Sequence, residues 1–283
     1  MYHVLIVVTD GSVNRIKFKK KIKVNFKIMI IVSLTTIPPR FDFLYLTINS
    51  IINQTVKPDK IIIHIPEKYN NFFYEKLPVL PSECENSDII INQKTKDYGP
   101  ITKLLGLYDS LEFCNISDDD VIIVIDDDRI YNKNLISNFL QYHELDKSKV
   151  LTAAGLDIET LSLNSIKTKN KKKQPRGNFL DNNGYTDTIM ACCGFLITKK
   201  LCPFNHKELF EVKSSDDRYY VDDILISGFL TLNNTEIYLI SDKNCCDEER
   251  GPNDTISSLY DNTRTEKNIN CINYFINNFD IWK

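Results

Sequence analysis

With 283 residues, 42% hydrophobic and 26% charged side chains, the chain has the ordinary composition of a soluble globular protein. Its length suits one large domain, or one domain with an appendage, and a substantial core. A net charge of -3 argues against a general nucleic-acid binder. The 8 cysteines include the adjacent pairs Cys192-Cys193 and Cys245-Cys246, while Cys84, Cys114, Cys202 and Cys271 are scattered. No Cys-x-x-Cys occurs, so reduced thiols are expected in place of a zinc site.

Residues 2–8 are apolar but too few to span a membrane, and Thr9-Asp10-Gly11 follows at once. An edge strand is expected there, with no signal peptide and a cytoplasmic location. The basic run Lys17-Phe18-Lys19-Lys20-Lys21-Ile22-Lys23 reads as a solvated linker, with peripheral membrane contact as the alternative. Met29 stands just before the first strong strand and is a second candidate start, which leaves 1–27 as an extension.

Residues 27–34 predict a buried strand, stopped at Thr35-Thr36-Ile37-Pro38-Pro39-Arg40 by two prolines. A helix is predicted over 44–54 from the spacing of Leu44, Ile48, Ile51 and Ile52. Then come a strand at 60–65, a helix at 69–76 and a strand at 89–91. Asp97-Tyr98-Gly99-Pro100 is a turn feeding a helix that runs to about residue 113, with Pro100 near its first position. Val121-Ile122-Ile123-Val124-Ile125 has no alternation, as expected of a strand buried on both faces. Strand and helix therefore alternate, which predicts a mostly parallel α/β sheet with right-handed crossovers.

Farther on, 132–143 reads as a helix and 150–153 as a strand. Residues 164–178, dense in lysine with few apolar side chains, predict a mobile loop. The 189–198 stretch is apolar around Gly194. Asp222 and Asp223 precede an apolar helix and suit its N-terminus, which is expected to keep them ionised. A strand at 236–240, a polar loop at 242–253 and an amphipathic helix at 265–279 complete the chain, with no internal repeat.

The chemistry concentrates where the fourth strand runs into Asp126-Asp127-Asp128. Ligands of open α/β sheets bind beyond the carboxyl ends of the strands. Adjacent carboxylates are costly there unless a cation offsets their repulsion. Asp126 and Asp128, two apart, leave an extended chain on the same side and could hold one hard divalent cation. The competing reading is an acidic turn capping the next helix.

Four stretches, Ser33-Leu34-Thr35-Thr36-Ile37-Pro38-Pro39-Arg40, Asp97-Tyr98-Gly99-Pro100-Ile101-Thr102-Lys103-Leu104, the aspartate triplet and Val221-Asp222-Asp223-Ile224, give the chain its likeness to a family. In their order and spacing it resembles the GT-A glycosyltransferases that use nucleotide-sugar donors, over roughly 28–250. The resemblance implies a GT-A, Rossmann-like, mostly parallel sheet flanked by helices, with a smaller acceptor-side subregion. It implies one domain over 28–283, with a nucleotide-sugar half at 28–130 and an acceptor half at 131–283. It also implies a hexosyltransferase taking a UDP-sugar in preference to a GDP-sugar, with Mn²⁺ or Mg²⁺, and a glycan, glycolipid or protein acceptor. Thr35 and Arg40 would lie near the base and phosphates, Asp97 near base or ribose, and Lys103 near ribose or phosphate. Asp126 would face the ribose and assist the metal, with Asp127 beside it, and Asp128 would bind the metal. Gly194 would bring backbone close to the sugar, and Asp223, supported by Asp222, would be the catalytic base of an inverting reaction. One departure stands out, since none of His3, His64, His143 and His206 follows the last strand, where many members place a metal ligand. Asp242 or Asp247 is the substitute to consider, with water filling the position as the alternative. The asparagine-, isoleucine- and lysine-rich composition suits an AT-rich genome such as that of a giant virus. A metal-dependent nucleotidyltransferase and a non-catalytic binding domain of the same fold are the alternatives.

Overall fold

The computed structural model describes residues 28–80, 88–159, 161, 183–240 and 263–283. The predicted elements and motifs at 1–27, 164–178 and 242–253 lie outside these, as do Cys84, Cys245 and Cys246. The described cysteines, Cys114, Cys192, Cys193, Cys202 and Cys271, are free thiols.

The described strands are β1 (Ile30–Thr35), β2 (Lys60–His64), β3 (Ile89–Asn92), β4 (Val121–Val124), β5 (Val150–Thr152), β6 (Gly184–Tyr185), β7 (Phe195–Thr198) and β8 (Ile237–Leu239). They form one sheet in the order β3-β2-β1-β4-β7-β5-β8-β6. β1, β2, β3 and β4 pair in parallel, and so do β5 and β8. Only β7 and β6 run against the others, each through antiparallel ladders. The protein is thus an α/β protein with a mostly parallel central sheet.

Helices cover both faces because successive strand residues point to opposite sides. Val32, Leu34, Ile61, Ile63, Ile123 and Leu196 pack toward one side, against α1 (Leu44–Ile52) and α3 (Leu135–His143). Ile31, Ile62, Ile122, Val124, Phe195 and Ile197 pack toward the other. There they meet α2 (Thr102–Asp109), α4 (Asp222–Leu232) and α5 (Arg264–Phe279). A strand buried on both faces needs no polar alternation, hence the unbroken apolar run of β4.

Two local expectations are corrected, and the 189–198 stretch, read only as apolar, takes a mixed form. The helix predicted at 69–76 is irregular chain. Tertiary contacts outweigh its helical spacing: Tyr69 Oη donates to the Thr36 carbonyl at 2.7 Å, and its ring meets Phe72 and Tyr74 edge to face. The Asn70 amide donates to an Asp97 carboxylate oxygen at 2.7 Å. The helix predicted to reach 113 stops at Asp109, because the Ser110 hydroxyl accepts the Glu112 amide and starts a separate 3-10 turn. In the 189–198 stretch only Phe195–Thr198 is strand; a 3-10 turn at Ala191–Cys193 and Gly194 at φ +87° precede it.

Candidate active site

The strand order reverses at β1, which has β2 on one side and β4 on the other, and the strand ends splay apart there. Above this point lies a cavity of about 780 Å³. Thr35 and Arg40 enter it from the end of β1, and Asp126, Asp127, Asp128 and Arg129 from the end of β4. Asp97 and Lys103 reach it from the α2 side, and Asp222 and Asp223 from the start of α4. Candidates scattered over nearly 190 residues of sequence therefore share one space.

Each acid of the triplet meets a cation. Arg40 Nη1 donates to Asp127 Oδ1 at 2.6 Å and lies 3.4 Å from Asp128 Oδ2. Arg129 Nε stands 3.7 Å from Asp128 Oδ1. Lys103 Nζ hydrogen-bonds Asp126 Oδ1 and also pairs with Asp222 Oδ2 at 2.7 Å. Lys103 is buried, with 4% of its side chain exposed, so its ammonium is a fixed charge joining the two acidic clusters. Burial disfavours that charge, but Asp126 and Asp222 more than compensate and hold the ammonium well above its ordinary pKa. Burial likewise works against ionised Asp126, and Lys103 reverses it, leaving that carboxyl below its usual range. Asp128 is pushed up to about 6 by burial and by Asp126 and Asp127, with Arg40 and Arg129 opposing.

A polar chain beneath the lysine holds it in place. Ser33 Oγ donates to the Lys103 carbonyl at 2.5 Å and lies 2.9 Å from His64 Nε2. The hydroxyl has one proton, so Nε2–H must be the donor to Ser33. His64 Nδ1 then accepts from Asn92 Nδ2 at 3.0 Å, and Asn92 also donates to the Gly106 carbonyl at 3.0 Å. Asn92 Oδ1 accepts the Lys94 amide, which agrees with that amide orientation. Burial pushes the His64 ring down to about 3, so it stays neutral. Gly106 is needed because a β-carbon there would meet the His64 ring at 2.5 Å.

At the start of α4 the two acids differ. Asp222 is buried against Lys103, whereas Asp223 is partly open to the cavity. Asp223 Oδ1 accepts the Ala191 amide at 3.0 Å. Burial and the charge of Asp222 push the Asp223 carboxyl up to about 7, against the pull of Lys103. The expectation that the helix N-terminus keeps this acid fully ionised is thus corrected, because desolvation and a like charge outweigh the helix dipole.

No protein-family model and no curated protein matches the chain. Among solved structures, S. aureus TarS 1-349 is similar at 16% identity and a TM-score of 0.47, over 77% of this chain and 59% of that one. The same protein in complex with UDP-GlcNAc gives 15% identity and a TM-score of 0.48, over 77% and 57%. A 4-diphosphocytidyl-2C-methyl-D-erythritol synthase gives 10% identity and a TM-score of 0.42, over 81% and 96%. The chain spans less than two thirds of the TarS structures. Its fold class stands on its own strand order.

Gly194 alone among the described sequence candidates does not line the cavity. A β-carbon there would face Phe139, Ile125 and Leu135, so the residue serves the positive-φ entry to β7 and borders the core. Asp97 lines the cavity while also building its wall: its oxygens accept the Asn70 and Gly99 amides. Gly99, at φ +74°, admits the Tyr219 ring, which a β-carbon would meet at 2.6 Å. Sequence reading missed Tyr219, Arg129, Arg264 and Asn268, all at the cavity. Arg129 was signalled by its place beside the triplet; the others depend on contacts distant in sequence. No helix among the described residues is long and apolar enough to cross a membrane.

Among the described residues no group of three His, Cys, Asp or Glu side chains is placed to hold a metal. One atom does fit a cation. Asp128 Oδ1 is buried and accepts no hydrogen bond from the described residues; Arg129 Nε stands 3.7 Å from it, and the charges of Asp126 and Asp127 act on the same carboxyl. A divalent ion there would need oxygens from its ligand to complete its shell.

Proposed function

We propose that the chain is a glycosyltransferase that moves a sugar from a nucleoside-diphosphate sugar, a UDP-sugar before a GDP-sugar, to an acceptor hydroxyl with inversion. The observation that carries this is Asp223: a carboxyl poised near neutrality, open to the cavity that also holds the cation-laced triplet. A hydroxyl attacking a sugar needs a base whose pKa lies near the working pH, so that it is both ionised and willing to take the proton. In this reading Asp223 receives the acceptor proton on its outward oxygen, while the Ala191 amide fixes the other. Asp222 and Lys103 hold the base in position and set its charge.

At the other side, Thr35, Asp97 and Asp126 border the space for the nucleoside. Arg40 and Lys103 supply fixed positive charge where the diphosphate would depart. Asp128, with Asp126 beside it, would hold Mn²⁺ or Mg²⁺, and such an ion would stabilise charge on the leaving phosphates. The acceptor would be a glycan, glycolipid or protein hydroxyl.

Release of UDP or GDP from a panel of nucleotide sugars tests the proposal. Release of pyrophosphate from a nucleoside triphosphate would favour a nucleotidyltransferase. Binding of UDP without turnover of any donor would favour a non-catalytic domain. A product retaining the donor's anomeric configuration would overturn the role given to Asp223.

A further inference from the structure

The inward stripe of α5 changes character along its length. Arg264, Asn268, Cys271 and Phe275 recur at helical spacing and share one side of the helix. Cys271 and Phe275 are fully buried, and Phe275 lies so close over Gly228 of α4 that a β-carbon there would collide with its ring. Toward the start of the helix the same stripe leaves the core and borders the cavity, and there it carries Arg264 and Asn268. Polar residues on an otherwise core-facing stripe are costly unless something bonds them.

Among the described residues, neither side chain finds its full set of partners. Asn268 Oδ1 is buried and has no hydrogen-bond partner among the described residues. Arg264 Nη1 donates to the Tyr220 carbonyl, and no carboxylate among the described residues pairs with the guanidinium. Among the described residues Arg264 thus faces the cavity with one donor engaged, whereas Arg40, Arg129 and Lys103 all stand against carboxylates. A guanidinium presents donors in a planar fork that suits carboxylate and phosphate oxygens. An amide oxygen one helical turn away suits a hydroxyl or amide donor.

We propose that Arg264 and Asn268 form an acceptor subsite for a sugar bearing an anionic group, a phosphate or a carboxylate. Arg264 binds the anion and Asn268 accepts a neighbouring hydroxyl. This rests on the glycosyltransferase reading for the word acceptor, but the binding chemistry does not.

Calorimetric titration of the full chain, with and without saturating UDP, tests it. The probes are methyl glucoside, glucose 6-phosphate and glucuronate. The charged sugars should bind more tightly than the neutral one by roughly ten- to a hundredfold, the scale of a hydrogen bond to a charged group. Comparison of the two charged probes distinguishes phosphate from carboxylate. Arg264→Gln should remove the preference. Asn268→Asp should also remove it, by placing a carboxylate one turn from Arg264, and it serves if the first variant does not fold. Equal binding of all three probes, absence of binding, or a preference that survives both variants would overturn the subsite. UDP titrated alone reports on the donor side, so failure of the subsite with UDP binding intact leaves the glycosyltransferase reading standing.

Discussion

The acids at the end of β4 and those at the start of α4 are built from the same residue type, yet they carry different chemistry. Around the triplet, Arg40, Arg129 and Lys103 stand within ion-pair reach of Asp126, Asp127 and Asp128. Among the described residues the α4 pair has Lys103 alone, and Lys103 contacts Asp222. Asp223 is left with burial, a like-charged neighbour and one backbone amide. The difference teaches that cations act against burial and like charge: Lys103 holds Asp126 below its usual range, whereas Asp128, despite two arginines, and Asp223 are both pushed up.

The sharpest way to break this comparison is Asp223→Asn. Loss of a positioned base should lower transfer on the order of a hundred- to ten-thousandfold, while UDP affinity stays intact. A variant turning over near the wild-type rate would end the distinction between the two acid groups.

Next in size is Lys103→Met. Removing one partner of a buried ion pair leaves Asp126 and Asp222 uncompensated, a loss of about 3–5 kcal/mol. Denaturant unfolding measures it, and an unchanged midpoint would show that Lys103 is not the joint between the clusters.

A third test uses pH. The Asp223 carboxyl sits at about 7 in the folded protein, facing Asp222, Lys103 and Asp126. Transfer should therefore rise as pH increases through about 7, as the base loses its proton. Stability moves in the opposite direction: the unfolded carboxyl titrates near ~3.9. The raised folded value thus stabilises at low pH and is lost as pH rises through about 7. Asp223→Asn should melt higher than wild type at pH 8 and show no such gain at pH 4.

The smallest effect is expected at the metal. UDP should bind severalfold more tightly in Mn²⁺ than in EDTA, and Asp128→Ala should abolish the difference. The same calorimetric titration reads both, and equal affinity in the two buffers would remove the cation from the donor side.

Much of the architecture was legible because apolar spacing controls it. The unbroken run into Asp126 and the helical spacing of Leu44, Ile48 and Ile51 both formed as read. Where the reading failed, contacts distant in sequence decided. Tyr69 bonds Thr36 and meets aromatic neighbours edge to face, so its segment is not helical. At the site, residue type and position placed the acids at strand and helix ends. Their pairing could not be read, because whether Arg40 meets Asp127 depends on the loop crossing 87 residues of sequence. The amphipathic helix at 265–279 was read, but Arg264 and Asn268 at its start were not, because their role depends on the cavity beside them.

The hydrogen-bonded chain from Asn92 through His64 to Ser33 has a consequence for acid tolerance. It works only with a neutral ring, since Nδ1 must accept. The folded ring resists protonation down to about 3, whereas an unfolded histidine takes its proton near ~6.5. This brace therefore contributes its full stability above about pH 6.5 and loses it as pH falls toward 3. Acid should loosen the seat of Lys103 from below, by way of a histidine that never touches the cavity.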